Sequence, residues 1–336
     1  MSSSDKQSAA PATPTQAAAA GAIAGGTTRL IAAPLDLVKI RFQVQQAPIS
    51  KKAHGKAKYV TFVQSIKSIH GEEGLKSFWR GNLAATGLWV SYSAIQFGCY
   101  RSLNGLWPTN FQERHSTTVS TLNGALSGVV ATAVTYPLDL FRTIFASQGV
   151  PKQFPTMQSL VAHTWATRGV SGFYSGLSAT LFQIAPYMGL SFGIYSSLNT
   201  LAATKMNMAH SSGLAVGLSY VGTGAVAGLL SKLTVYPLDT LKKRMQMRQV
   251  PRCASYGIIP YYESSWQCLR DIIKKEGVRG LYKGTTPSLI KSVVTHSSTF
   301  ATYEVALVTL QKFSADVHEN AGDKHHQRYF NSQSER

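Results

Sequence analysis

Three times along its 336 residues the chain returns to Pro-Leu-Asp with a basic residue three positions after the acid. The copies are Pro34-Leu35-Asp36 with Lys39, Pro137-Leu138-Asp139 with Arg142, and Pro237-Leu238-Asp239 with Lys242. The prolines stand 103 and 100 positions apart, so the fold is built from three units of about a hundred residues. A second mark follows in each unit: Glu73-Gly74 before Trp79-Arg80-Gly81, Arg168-Gly169 before Tyr174-Ser175-Gly176, and Glu276-Gly277 before Tyr282-Lys283-Gly284. Two linked marks at matched spacing bind the units into one architecture.

The pattern resembles that of the mitochondrial carriers, whose signature is Pro-x-Asp/Glu-x-x-Lys/Arg in three tandem repeats. The resemblance covers roughly residues 16 to 313. It implies an all-α membrane protein: six transmembrane helices in three tandem two-helix repeats with pseudo-threefold symmetry, plus short matrix surface helices. The expected boundaries are a disordered tail 1–15, repeats 16–107, 118–205 and 215–313, and a polar tail 314–336.

Composition agrees with a membrane chain. Charged residues make up 14%, well under the roughly 25% of soluble proteins. The net charge of +18 suits nucleic acid, an anionic membrane surface or an anionic substrate, but no long Lys/Arg block or nucleic-acid motif is present. Cys99, Cys253 and Cys268 have neither paired nor metal-ligand spacing and read as ordinary thiols of a reducing compartment. His318, His325 and His326 belong to the polar tail and read as solvated. The Ser/Ala/Pro/Thr-rich beginning looks like neither a secretory signal nor an arginine-rich presequence, which carriers generally lack.

The apolar run Ala17 to Ala33 is short for a span of about 20 residues, so its helix must continue through Pro34 to near Val44. Gly21/Gly25, Gly124/Gly128 and Gly224/Gly228 precede the three prolines at the same offset, a spacing that lets helix backbones approach closely in lipid. Between the two marks, Phe62, Ile66 and Ile69, and Trp266, Leu269, Ile272 and Ile273, give amphipathic helices with their apolar side inward. A second apolar run follows each of Gly81, Gly176 and Gly284. Mean hydropathy of −0.03 is low for six spans and leaves a soluble helical repeat as the alternative; polar residues at equivalent repeat positions favour an internal aqueous cavity.

Asp and Lys/Arg three residues apart share a helical face, which by itself gives only a weak local ion pair. The family resemblance implies a cyclic matrix gate instead: Asp36 with Arg142, Asp139 with Lys242, Asp239 with Lys39. Gln43 and Gln246, nine residues after their prolines, resemble the family's braces across these bonds; the middle unit has Ala146 there. The family's second ring on the even helices is degenerate here. Tyr100-Arg101 lacks the acid, Tyr195-Ser196 lacks charge, and Tyr303-Glu304 ends at Leu307.

Five residues before the prolines stand Arg29, Thr132 and Lys232; seven after the closing glycines stand Leu88, Gln183 and Lys291. The second set resembles the family's substrate contact points. Cations at membrane depth are costly and mark function, and three converging cations suit a di- or triphosphate. Tyr92, Tyr187 and Gln96 supply stacking faces and amide edges at the same level, and Trp89 either joins them or faces lipid or a neighbouring helix. Tyr92 to Phe97, Pro186 to Leu190 and Tyr195 to Leu198 are similar to the family's thiamine pyrophosphate branch.

The resemblance therefore implies alternating-access transport of thiamine pyrophosphate across the mitochondrial inner membrane, by exchange with another phosphorylated anion. Nucleotides, deoxynucleotides or coenzyme A are the alternatives within the class, and a non-transporting membrane scaffold lies outside it. No enzyme is expected: His70, His163 and His296 have no partners at useful spacing, and neither metal nor cofactor is called for. The expected partners are a small anionic substrate and the lipid bilayer, cardiolipin included, with no nucleic acid. One chain supplies all six helices, which implies a monomer.

Overall fold

A computed structural model describes residues 13–45, 58–206, 213–248, 250–251 and 262–334. Among them every regular element is helical: α1 (Pro14–Val44), α2 (Phe62–Glu73), α3 (Asn82–Asn104), α4 (Thr109–Arg114), α5 (Ser116–Ser147), α6 (Met157–Phe173), α7 (Leu177–Met206), α8 (Gly213–Gln246), α9 (Ser265–Glu276), α10 (Val278–Leu281) and α11 (Thr285–Ser334). Cys253 and residues 1–12 lie outside the described residues.

The chain divides into a larger unit, Ala33–Ile290, and a smaller one, Met1–Ala32 with Lys291–Arg336. In the larger unit α1, α5 and α8 each run on through Pro34, Pro137 and Pro237, so the repeated proline lies inside a long helix. A proline there forfeits one backbone bond, and the packing around it must offset that loss. Leu37, Leu140 and Leu241, all three residues after their prolines or one beyond, are buried in one apolar cluster. With them lie Ile40, Phe42, Ile144 and Met245. The short helices close this cluster through Ile69, Leu160 and Ile272, each 1% exposed. Their starts are fixed by side-chain caps: Thr61 accepts from the Gln64 N–H, Thr156 from Ser159, and Ser264 from Gln267.

The glycines of the second mark set the geometry where α3, α7 and α11 begin. Gly81, Gly176 and Gly284 have φ of 79, 86 and 81°, a left-handed backbone that disfavours side chains. Each also abuts the proline-bearing helix of the following repeat. A Cβ would meet the Arg142 carbonyl oxygen at 2.8 Å on Gly81, the Gln246 nitrogen at 3.2 Å on Gly176 and the Lys39 carbonyl oxygen at 3.0 Å on Gly284. The repeats thus interlock in cyclic order through contacts that only glycine fits.

Within the larger unit α3 lies along α5, and α7 along α8. At the α3–α5 connection the Asn123 amide nitrogen donates to the Asn104 side chain at 2.7 Å, and the Trp107 indole donates to Asn123 at 3.0 Å. In the smaller unit, Thr28 and Thr299 share a hydroxyl hydrogen bond at 3.1 Å.

Two details depart from the sequence expectations and two extend them. Among the described residues nothing stands within 4 Å of where a side chain on Gly21, Gly25, Gly124 or Gly228 would begin, so these glycines bring no described helix backbone close. Gly128 and Gly224 make room for the tyrosines Tyr92 and Tyr195 at 3.6 and 3.7 Å. Trp266 points outward, 65% exposed, with the Arg270 guanidinium over its ring, and Ile273 is 45% exposed. Only two of the four residues on the α9 stripe, Leu269 and Ile272, pack inward. The polar stretch after 313 is continuous with α11, which runs on to Ser334 with no proline to stop it. Finally, Thr118–Ser147 alone among the described residues is long and apolar enough to cross a membrane by itself. Upstream of their prolines α1 and α8 carry a cation, Arg29 and Lys232, where α5 has Thr132.

Candidate functional site

Three ion pairs join α1, α5 and α8 head to tail. Lys39 Nζ lies 2.6 Å from an Asp239 oxygen and Lys242 Nζ 2.9 Å from Asp139, while the Arg142 guanidinium donates to Asp36. The side chains of all six are between 9% and 18% exposed, so the pairs are partly hydrated. Such pairs are modest in strength, because desolvation offsets much of their attraction.

Two of the three pairs carry an amide. Gln43 Nε2 donates to Asp239 at 2.9 Å, and Gln246 Nε2 donates to Asp139 at 2.8 Å. The Arg142–Asp36 pair has Ala146 at the corresponding position. Tyr136 and Tyr236, each just before its proline, donate to the backbone carbonyls of Ser175 and Lys283 and fix α5 and α8 against the second mark of their own repeat.

Above this ring opens a cavity of about 680 Å³ in the larger unit. Leu88, Tyr92 and Gln96 line it from α3, Thr132 from α5, and Gln183 and Tyr187 from α7, with Trp89 and Phe97 alongside. Its floor includes Asp139 and Lys242, so cavity and ring are continuous. Gln183 reaches down far enough to donate to the other Asp239 oxygen at 3.4 Å. The lining is mostly apolar and aromatic, with a few hydroxyls and amides, which suits a ring system carrying polar edges.

The predicted cations are placed differently. Lys232, also in the larger unit, donates to the Ser288 carbonyl at 3.0 Å and does not line this cavity. Arg29 and Lys291 belong to the smaller unit. The cavity therefore unites six of the nine predicted substrate residues.

Sequence reasoning missed a second set of charges below the ring. Arg41, seven residues after its proline and 1% exposed, makes a two-pronged contact with Glu73 and donates to the carbonyls of Ala146 at 3.0 Å and Gln148 at 2.6 Å. Arg80 joins the same carboxylate. In the third repeat Arg244 pairs with Glu276 and donates to the carbonyls of Gln43 at 3.2 Å and Gln45 at 3.0 Å; Lys283 completes that trio. Each arginine thus holds the C-terminal carbonyls of the neighbouring helix, where a cation is favoured. Burial pulls the Lys283 ammonium down to about 8, against the opposing pull of Glu276.

A third feature recurs eleven residues after each proline. Gln45 exchanges two hydrogen bonds with the Tyr59 backbone, Gln148 accepts from the Phe154 N–H at 2.7 Å, and Arg248 donates to the Tyr262 carbonyl at 2.9 Å. These tethers return the loop to its helix. The signal was present as a long polar side chain at one fixed offset, but its partners lie in loops whose lengths differ.

Comparison with known proteins follows the same threefold division. The sequence model of the family described as "Mitochondrial carrier protein" matches residues 10–111, 113–206 and 217–314. A Zea mays protein named "Mitochondrial thiamine diphosphate carrier 2" is 40% identical over 305 residues, covering 85% of this chain and 91% of its own. "Mitochondrial thiamine diphosphate carrier 1" of Arabidopsis thaliana is 38% identical, covering 86% of this chain and 92% of its own. "Mitochondrial thiamine pyrophosphate carrier 1" of Botryotinia fuckeliana is 40% identical, covering 89% and 93%.

Proposed function

The chain belongs to the mitochondrial carrier family, and from that premise we propose that it moves thiamine pyrophosphate across the mitochondrial inner membrane by alternating access. It is a transporter and not an enzyme. The observation that carries the reading is the cavity whose floor is a gate pair, Asp139 with Lys242. A solute seated there is within reach of the bonds that must break for passage.

In the proposed cycle the ring of Asp36, Lys39, Asp139, Arg142, Asp239 and Lys242 closes the matrix side, and six helices cross the bilayer. Tyr92, Gln96, Gln183 and Tyr187 hold the two heteroaromatic rings, with Leu88 and Thr132 shaping the wall. Arg29, Lys232 and Lys291 are proposed for the pyrophosphate from their repeat positions. Bound substrate then offsets the cost of parting the ring, since only a differential interaction shifts a two-state equilibrium. Counter-exchange with a phosphorylated anion, a cardiolipin-containing bilayer and a monomeric carrier belong to the same proposal.

Thermal unfolding of the detergent-purified protein tests it against thiamine pyrophosphate, thiamine, ATP, dATP and coenzyme A. A ligand at a hundred times its dissociation constant adds about 2.7 kcal/mol. Stabilisation by thiamine pyrophosphate and not by thiamine is expected. A stronger shift with ATP or coenzyme A would discard the substrate and keep the carrier. In liposomes, Lys291→Ala is expected to cut uptake sharply at an unchanged melting temperature; full uptake would remove Lys291 from the site.

A further inference from the structure

Six residues after each proline the three repeats differ: Ile40, Thr143 and Lys243. All three are buried, and Lys243 is 7% exposed. Its ammonium lies on α8 and donates to Thr143 Oγ1 at 2.8 Å, Gln246 Oε1 at 2.9 Å and Asp139 Oδ1 at 3.4 Å. Thr143 Oγ1 in turn donates to Gln246 Oε1 at 2.8 Å. Two of the lysine's three partners, Thr143 and Asp139, stand on α5.

The seam between α5 and α8 also differs from its counterparts. Arg41 holds the end of α5 and Arg244 the end of α1, each backed by a glutamate. At the corresponding position of the second repeat stands Ile144, and the glutamate position is Arg168. The seam that has no arginine clamp is the one that carries the extra lysine.

We propose that Lys243 is a positioning residue: it holds α5 and α8 together in place of the clamp that the second repeat lacks, and so sets how readily the matrix gate opens. The proposal rests on the alternating-access reading of that gate. The physical ground is the difference between states. With the helices together the ammonium has a carboxylate and a hydroxyl from α5; with them apart it loses both and keeps only the groups of its own helix, Gln246 and the Asp239 charge. A contact made in one state alone biases the equilibrium.

The test uses the full chain in inner-membrane preparations, with Cys99→Ser, Cys253→Ser and one reporter on the cavity wall, Ser93→Cys. Cys268 stays, since burial pushes its thiol up to about 12 and leaves it unreactive. An impermeant maleimide is applied to right-side-out and to inverted vesicles. Lys243→Met is expected to slow labelling from the cytoplasmic face and speed it from the matrix face, by about fivefold each. Lys243→Arg is expected to restore the original rates. A merely structural loss would move both faces in the same direction, and that result, or unchanged rates, overturns the proposal. If Lys243→Met does not fold, Lys243→Gln keeps a donor for Thr143, removes the charge and is judged by the same two rates. Labelling needs no substrate. A carrier that proved inactive on thiamine pyrophosphate would discard the substrate and leave this result to stand or fall alone.

Discussion

The first and third repeats close their lower ends with a buried arginine, a glutamate and a second base; the second repeat has none of the three. Arg41, Glu73 and Arg80 match Arg244, Glu276 and Lys283 position for position, and Ile144, Arg168 and Ser175 stand where they would be. Arginine and glutamate at these places are 0–2% exposed in side chain. Ile144 is 2% exposed and belongs to the apolar core. The lesson is that buried charges are present or absent as a set. Removing one member strands the others in a low dielectric, whereas a hydrophobic substitute for the whole set is tolerated.

Breaking one member of a set should give the largest effect. Glu73→Gln leaves Arg41 and Arg80 without their carboxylate, an expected loss of about 3–5 kcal/mol visible as a much lower melting temperature. Replacing the whole set by apolar residues of similar volume, Arg41→Met with Glu73→Leu and Arg80→Met, is expected to cost clearly less. If the triple variant is the less stable one, the all-or-none account fails.

Next come the glycines that the repeats share. Gly81→Ala must bear the left-handed φ, about 1–2 kcal/mol, and in addition a Cβ 2.8 Å from a backbone oxygen, about 1–3 kcal/mol more. A loss for Gly81→Ala no larger than the left-handed φ alone would show that the cyclic interlock is not tight.

The braces separate the repeats in another way. Gln246→Ala removes a bond to the Asp139 carboxylate and is expected to cost about 1.5–3 kcal/mol, while Ala146→Gln tests whether the unbraced Arg142–Asp36 pair accepts an amide. Faster turnover in the first and slower turnover in the second would mark the braces as gate elements. Identical turnover in both would reduce them to packing. The smallest effect is expected at Lys58–Glu72, whose carboxylate is 46% exposed: Lys58→Ala should cost no more than about 1 kcal/mol.

Much of this was legible in the chain. The helical repeat and the second mark follow from residues that recur at fixed spacing, and the geometry shows Asp36, Asp139 and Asp239 facing cations of the next repeat. Tyr92, Gln96 and Gln183 could be singled out because they are polar or aromatic in otherwise apolar runs, and all three line the cavity. Other features had no such signal. Nothing in the spacing singles out Arg41 and Arg244, because their carboxylates lie 32 positions away. Lys243 stands beside Lys242 in the chain, and spacing alone does not separate their roles. The paired glycines misled, since their spacing says that a helix face is small and not what, if anything, stands against it.

The sequence by itself determined the threefold plan, the helical class and the kind of residue at each position of the ion-pair ring, for these depend on local periodicity and on chemistry repeated along one dimension. Tertiary structure alone decided which base answers which acid, that Lys243 shares Asp139, that Lys232 is held by a backbone carbonyl, and that the second repeat closes without a clamp. Those outcomes depend on distances between side chains a hundred or more residues apart, which packing fixes and spacing along the chain does not.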